Sequence, residues 1–385
     1  SGKGLTSINP YTARISTAAC GIPDEATAIV VSTAIVRPPR KGWLVAYPAG
    51  STRPSAATLN WNAGTTRANT STVRVGADAA IEVYRIDGYG NGSVVMDVVG
   101  AFVPATSAAS GRLVVVDTAQ RLLDTRDGGG DRLGPETTVR IPLPDGVPAD
   151  ATALAVNVTV AQTRSNGFFT VFPAGSPQPE ASVLNADRAN QTRAAATIVP
   201  VTEDGFDLYT KAGAHVIVDM TGWFTGESEE SSPDGLFVPA TPQRLRDTRP
   251  ETNPIYAGGT IEIGLPARTQ QPSAVAISMT MVAPERRGFV TAHAARTPRG
   301  PTSSGSGMPF EVTAQFAITA ASAAGVEIYS NAGTELTVDL LGWFTGPQAP
   351  TSRNTPTGNP VPLQRVIAIG DSTMAGVDRN FAWAQ

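Results

Sequence analysis

The residues best suited to nucleophilic chemistry lie near the C-terminus of the chain, around Ser372. The apolar run at 366–369 leads into a Gly-Asp-Ser turn at 370–372, and small residues follow. A strand that ends in a sharp turn before a helix exposes the serine hydroxyl at a sheet edge and directs backbone N–H groups toward an oxyanion. Nucleophilic attack through an oxyanion intermediate is the chemistry that this arrangement serves.

Residues 365–378 resemble the first sequence block of the SGNH (GDSL-type) esterases and lipases, and residues 381–385 suit the helix that follows there. The resemblance implies that Ser372 is the nucleophile and that its own N–H belongs to the oxyanion hole. The family's oxyanion Gly and Asn and its closing Asp-x-x-His would lie past Gln385. A serine without a base is a weak nucleophile. We therefore expect this chain alone to be inactive; either its parent continues into a hydrolase domain or the block has been reused.

Charged residues also recur at fixed positions. Asp97, Asp219 and Asp339 each lie within an apolar segment, and Arg126 and Arg249 occupy another shared position. A buried carboxylate needs a partner, or its pKa rises and it becomes neutral. One interpretation is a ligand or calcium site in each repeat. The other, which the repetition favours, is an internal pair, Arg126 with Asp219 and Arg249 with Asp339, that joins the first and last strands.

Other candidate sites fit a structural interpretation better. The loop at 127–131 has two aspartates around three glycines but lacks the ligand series of a calcium loop, which favours a long turn. Trp223 and Trp343 end apolar segments and are expected to plug a core rather than to stack on sugars. With two histidines and one cysteine, Cys20, the chain is expected to have no metal site, intrachain disulfide or cofactor.

The elements that must position these residues come from a repeat of about 120 residues. GFFTVFPAG at 167–175 recurs as GWLVAYPAG at 42–50 and as GFVTAHAA at 288–295. The endings VDMTGWF, VDLLGWF and MDVVGAF also match, as do the openings RLLDTR and RLRDTR. A unit of this length can bury a core of its own, which solenoid repeats cannot. We therefore expect three separate units in a row, with joints rich in Pro, Ser and Thr.

The RLLDTR opening, the TVFPAG middle with SVLN at 182–185, and the VDMTGWF ending resemble a repeat module of secreted and cell-surface proteins from actinobacteria. The resemblance spans nearly all of residues 1–346 and is most degraded in the third repeat. It implies an extracellular or cell-surface accessory role without catalysis.

Each repeat is expected to be antiparallel β. Leu154, Val156, Val158 and Val160 alternate with Ala155, Asn157 and Thr159, which predicts a strand buried on one face. Eight short strands are expected in the second repeat, as in a sandwich or jelly roll. The strands are expected near 121–125, 138–142, 152–160, 168–172, 181–185, 194–201, 206–210 and 215–224.

The resulting fold prediction is all-β, with three tandem antiparallel β-sandwich or jelly-roll-like modules and the start of an α/β SGNH domain. The predicted divisions are module 1 (1–104), module 2 (111–226), module 3 (235–346), a Pro/Thr-rich linker (347–360) and the truncated hydrolase start (361–385).

Composition excludes several functional classes. Charged residues make up 16% of the 385 residues, and the formal net charge is −4, which argues against nucleic-acid binding. No apolar run reaches the eighteen or so residues of a membrane span.

Two functions fit these features. The first is an extracellular β stalk or surface element that presents an SGNH-type hydrolase, with esters of cell-envelope polysaccharide or lipid as substrates. The alternative is a structural or adhesive subunit of a surface fibre or phage tail fibre. Cell-envelope polysaccharide and further copies of the chain are the expected partners.

Module 1 starts about where the second strand of module 2 starts, so it lacks the Leu-Asp-Thr-Arg strand while keeping Asp97. A missing strand leaves an open edge that invites another segment. Residues upstream of Ser1, the tail of the same chain, or a neighbouring copy could supply that strand. The tail carries Gln364-Arg365, which echoes Gln120-Arg121. Donation between copies would be a heterologous contact that can extend into filaments.

Overall fold

The computed structural model describes residues 11–18, 21–87, 92–250, 254–267 and 272–352. These residues form six small antiparallel sheets, include a 3-10 turn at Asp127–Gly129 and contain no α-helix. The described part of the chain is therefore all-β, as the alternating pattern predicts. The expected start of an SGNH domain at 361–385 lies outside the described residues.

Module 1 contributes a four-stranded sheet, with the order β1-β6-β3-β4, and a three-stranded sheet, β5-β2-β7. Its strands are β1 (Tyr11–Ser16), β2 (Ala28–Val36), β3 (Gly42–Pro48), β4 (Leu59–Trp61), β5 (Arg67–Arg74), β6 (Ala80–Ile86) and β7 (Ser93–Phe102).

Module 2 contributes two four-stranded sheets, β13-β10-β15-β8 and β12-β11-β14-β9. The eight strands lie close to the expected positions, except that the first begins eight residues earlier, at Leu113. The strands are β8 (Leu113–Asp124), β9 (Thr137–Ile141), β10 (Ala153–Ala161), β11 (Gly167–Pro173), β12 (Leu184–Ala186), β13 (Arg193–Pro200), β14 (Phe206–Thr210) and β15 (His215–Phe224).

Module 3 repeats the module 2 arrangement, with the sheets β16-β23-β18-β21 and β17-β22-β19-β20. Its strands are β16 (Phe237–Asp247), β17 (Gly259–Ile263), β18 (Pro272–Val282), β19 (Gly288–Ala294), β20 (Gly305–Gly307), β21 (Val312–Ala320), β22 (Val326–Ser330) and β23 (Glu335–Thr345).

The two sheets of each module enclose a hydrophobic core, as in a β-sandwich. In module 2 this core joins Leu154 and Val158 of β10 to Phe169 of β11 and Phe206 of β14, all of them fully buried. The same layering recurs in modules 1 and 3 with different side chains. The period-two stripe predicted from the sequence therefore forms one wall of each core.

The prediction that β10 is buried on one face only is wrong. Ala155, Asn157 and Thr159, which point away from the module core, are also at least 93% buried. Ala155 belongs to a second hydrophobic cluster that draws residues from all three modules, including Val30 and Ala276. The modules are consequently not separate units in a row but pack against one another through these inner sheets.

Three equivalent hydrogen bonds arrange the modules in a closed ring. The Ser32 hydroxyl of module 1 donates to the Ser182 carbonyl of module 2 at 2.9 Å. Asn157 Nδ2 of module 2 donates to the Ser303 carbonyl of module 3 at 2.8 Å. The Ser278 hydroxyl of module 3 donates in turn to the Ala57 carbonyl of module 1 at 2.9 Å. Head-to-tail contacts that close after three steps form a ring, here within one chain.

Three equivalent phenylalanines mark the centre of this ring. Phe102, Phe224 and Phe344 occupy the last position of the matching strand endings. Their ring centroids lie 6.3, 6.1 and 6.2 Å apart, which is an almost equilateral triangle. Aromatic rings at this spacing interact favourably, so this triangle fixes a pseudo-threefold axis shared by the three modules.

The segments between the modules, which the sequence predicts to be linkers, are hydrogen-bonded to the ring and to each other. Ala108 and Ser232, one from each inter-module segment, exchange two backbone hydrogen bonds of 3.2 and 3.0 Å. The first residues of the expected 347–360 linker are also held, because the Ala349 amide donates to the Ala321 carbonyl at 2.9 Å and the Ser352 amide to the Arg296 carbonyl at 3.0 Å. Residues 353–360 lie outside the described part of the chain.

Candidate functional site at the open edge of module 1

The repeated aspartates do lie in the protein interior, but their partners differ from those predicted. Asp219 and Asp339 are each 1% exposed. Asp219 accepts a hydrogen bond from Arg121 Nε, and Asp339 accepts one from Arg244 Nε at 2.6 Å. The pairing of Asp219 with Arg126 and of Asp339 with Arg249 is therefore wrong.

Strand register explains the correction. Arg121 of β8 lies directly opposite Asp219 of β15, and Arg244 of β16 lies opposite Asp339 of β23. Arg126 follows the end of β8 at Asp124 and so has no position in the ladder. The signal that could have found the correct residues is the Gln-Arg dipeptide that opens both matching segments.

Arg126 and Arg249 instead close the turn that follows each first strand. Arg126 Nε lies 2.8 Å from Asp124 Oδ1, and Arg249 Nε lies 2.8 Å from Asp247 Oδ1. The hydrogen bond from Arg249 lowers the pKa of Asp247 to about 2, and Arg126 lowers that of Asp124 in the same way.

The pKa values of Asp219 and Asp339 are shifted in the opposite direction. Burial raises the pKa of both carboxyl groups, and the hydrogen bonds from Arg121 and Arg244 only partly offset this effect. In each module the arginine therefore counteracts the effect of burial on the pKa of the carboxyl group.

Asp97 of β7 holds the equivalent position in module 1 but lacks the equivalent partner. Within the described residues no arginine pairs with it, because β7 is the edge of a three-stranded sheet. Burial raises the pKa of Asp97, and the nearby charge of Glu180 in module 2 raises it further. Among the described residues, Asp97 therefore lacks the arginine that partly offsets the effect of burial on the pKa of Asp219 and Asp339.

The surroundings of three equivalent glycines, Gly100, Gly222 and Gly342, also indicate that the first strand has no counterpart beside β7 among the described residues. A Cβ on Gly222 would lie 2.6 Å from the Val114 carbonyl of the first strand, and one on Gly342 would lie 2.8 Å from the Val238 carbonyl. A Cβ on the equivalent Gly100 would meet nothing within 4 Å. None of the described residues occupies the space beside β7 that the first strand fills in modules 2 and 3, next to Val95 and Val98, which are each 37% exposed.

A second charged group lies where β5, β13 and β21 meet. Glu311 Oε2 lies 2.5 Å from Arg67 Nη2 and 3.6 Å from Arg193 Nη1. Both arginines are about 93% buried, and burial together with the charge of Arg67 lowers the pKa of Arg193 to about 10. One carboxylate thus bridges modules 1, 2 and 3.

The remaining candidates resolve as structural features or lie outside the described residues. Residues 127–129 form an exposed 3-10 turn, and no cluster of three potential metal ligands occurs in the part of the chain that the structure describes. Trp223 and Trp343 pack against the cores of their modules. Ser372 and Cys20 lie outside the described residues. None of the described segments is a helix long and apolar enough to cross a membrane.

Comparison with known proteins gives no family. No protein-family model matches the sequence, and no curated protein does. Among solved structures, a chain from the atomic structure of Sulfolobus Turreted Icosahedral Virus is similar over 88% of this chain and 84% of its own length, at 9% identity and a TM-score of 0.19. A chain from a structure of the triple jelly roll fold and turret assembly in an archaeal virus is similar over 88% and 82%, at 8% identity and a TM-score of 0.19. Similarity this low carries no functional argument.

Proposed function

We propose that the ring of three sandwich modules is a rigid scaffold of an extracellular or cell-surface protein, and that it presents an SGNH-type ester hydrolase at its C-terminal end. Ser372 would be the nucleophile of that hydrolase. The observation that carries this proposal is the Gly-Asp-Ser motif, which follows the ring after an interval of about twenty residues. Acetyl groups on envelope polysaccharide and lipid esters are the substrate classes.

The ring suits the scaffold role because its modules share a core. A chain of freely jointed modules would let an attached domain sample many positions. Here the last described residues are held to module 3, with Gln348 Nε2 donating to the Ser322 carbonyl at 3.0 Å. The segment that leads from Ser352 to the proposed domain would therefore leave the ring at a fixed point.

The experiment compares two chain lengths with p-nitrophenyl acetate as substrate. The 385-residue chain and its Ser372→Ala variant should hydrolyse it equally slowly, because the sequence supplies no base for Ser372. The chain extended along its reading frame should show turnover that Ser372→Ala abolishes. An extended chain whose turnover does not depend on Ser372, or a reading frame without a further Asp-x-x-His, would refute the hydrolase.

The open edge of module 1 favours a second candidate, a structural subunit that assembles by strand donation. In modules 2 and 3 the arginine that pairs with the buried aspartate follows a glutamine, as Arg365 follows Gln364 in the tail. A tail strand from another copy could therefore place Arg365 opposite Asp97. Each such contact would leave the next copy's edge free, so that filaments would form.

Native mass spectrometry of the 385-residue chain, its Arg365→Ala variant and a chain that ends at residue 360 tests this candidate. Strand donation predicts oligomers for the full chain and monomers for both variants. Monomers in all three samples would exclude it and would leave the hydrolase proposal untouched.

A further inference from the structure

A cleft lies between modules where module 3 closes the ring against module 1. Its volume is about 540 Å³, and its walls come from β3 and β4 of module 1 and from β16, β18 and β23 of module 3. The volume lies within the range of ligand pockets, which is about 300–1,000 Å³. The corresponding contact between modules 2 and 3 leaves a cavity of only about 30 Å³.

Module 1 has an alanine at a position where module 3 has a serine, and this difference leaves polar groups in the cleft without hydrogen-bond partners among the described residues. At the contact between modules 2 and 3, the Thr159 hydroxyl lies 3.3 Å from that of Ser303. The equivalent residues at the cleft are Thr280 and Ala57, which has no hydroxyl. Thr280 Oγ1 and Asn60 Oδ1 consequently line the cleft, buried and without a hydrogen-bond partner among the described residues. Buried polar groups of this kind normally bind water or a ligand.

The walls of the cleft combine aromatic and cationic side chains. Trp43 is half-buried and lies on one wall, and Trp61 on β4 is almost fully buried, with its Nε1 satisfied by the Arg40 carbonyl at 3.0 Å. Lys41 is exposed at the cleft, and Arg249 is half-exposed although it pairs with Asp247. Among the described residues that line the cleft are lysine and arginine but neither aspartate nor glutamate.

We propose that this cleft binds a short segment of an acidic, uronate-containing polysaccharide. A tryptophan face suits the apolar face of a sugar ring, the unpartnered Thr280 and Asn60 suit its hydroxyls, and Lys41 with Arg249 suits its carboxylate. This inference takes from the proposed function only the idea that the partner is a polysaccharide. It places the binding site on the ring, not on the hydrolase domain.

Calorimetric titration of the 385-residue chain tests the inference, with trigalacturonate as the acidic probe and maltotriose as the neutral one. The acidic probe should bind at one site, and the neutral probe should bind at least about tenfold more weakly. Lys41→Glu should weaken trigalacturonate binding by about tenfold, because reversal turns attraction into repulsion. Lys41→Gln, which adds no repulsion, should give a smaller loss.

Arg74→Glu is the matched control, since Arg74 is an exposed cation of module 1 outside the cleft and its reversal changes the net charge equally. The affinity of the Arg74→Glu variant for trigalacturonate should stay within about twofold of that of the unmodified chain. Three results would each overturn the inference: no saturable binding of trigalacturonate, equal binding by the Lys41→Glu variant, or an equal loss in the Arg74→Glu variant. None of these measurements involves turnover, so a failed hydrolase and an empty cleft would be distinguished.

Discussion

Replacing Arg121 and Arg126 separately by methionine distinguishes the arginine that stabilises the interior from the one that closes a turn. Methionine keeps an apolar stem of similar length and removes the charge. Arg121→Met leaves the Asp219 carboxylate, 1% exposed, without its arginine. Breaking a buried ion pair in this way costs about 3–5 kcal/mol, and the 29% exposure of the Arg121 side chain places the expected loss near the lower end.

Arg126→Met should cost less, about 1 kcal/mol or below. The Arg126 side chain is 49% exposed, and its partner Asp124 keeps a second ion pair with Arg121 at 2.7 Å. The two variants remove the same charge from residues five positions apart on one segment, so each serves as the control for the other.

The pH dependence of the Arg121→Met variant follows from the same contacts. Without Arg121, the effect that lowers the pKa of Asp219 is lost and the raising effect of burial remains, so the folded-state pKa rises further above the unfolded value of about 3.9. Such a carboxyl group loses stability as the pH rises through its folded-state pKa. The deficit should therefore be largest at pH 7 and shrink as the pH falls toward the unfolded-state pKa of about 3.9.

Urea unfolding at pH 7 and at pH 4.5 measures both effects, and the double variant Arg121→Met/Asp219→Asn should recover part of the stability at pH 7. A larger loss for Arg126→Met than for Arg121→Met would refute the assignment. So would an Arg121→Met deficit that does not change with pH.

Two further substitutions test the packing between modules. Phe224→Ala should lower the free energy of unfolding by about 3–5 kcal/mol, because the Phe224 ring contacts Phe102 of module 1 and Phe344 of module 3. Calorimetry should show the loss as a shift of one cooperative transition of the whole chain. The control, Phe168→Ala, should cost less, because Phe168 is partly exposed. Glu311→Gln should lower the free energy of unfolding, measured in urea, by about 3 kcal/mol, because it leaves the buried guanidinium groups of Arg67 and Arg193 without their shared carboxylate. A loss of stability smaller than that expected for an exposed ion pair, about 1 kcal/mol, would contradict the bridging role.

Local patterns in the sequence predict the sandwich modules well. Alternation and turn residues place the eight strands of module 2 because one face of each strand is apolar. The early start of β8 at Leu113 escapes this pattern, since its pairing with β15 shifts register twice and the alternation breaks there.

The ring is not predictable in the same way. The faces that join the modules carry small and polar residues such as Ala155, Asn157 and Thr159, which resemble a solvent-facing pattern in the sequence. Their burial depends on contacts more than a hundred residues away, as between Asn157 and Ser303. The choice between Arg121 and Arg126 likewise depends on strand register, which composition does not reveal.

The closed ring is the central claim, and the distances between equivalent turns of the three modules test it most directly. Asp78, Asp204 and Ala323 lie in equivalent exposed turns, and each pair can be changed to cysteine and spin-labelled in a Cys20→Ser background. Double electron–electron resonance should give three similar distances, because the modules surround a common axis. A distance between modules 1 and 3 clearly longer than the other two would show modules in a row and contradict the account.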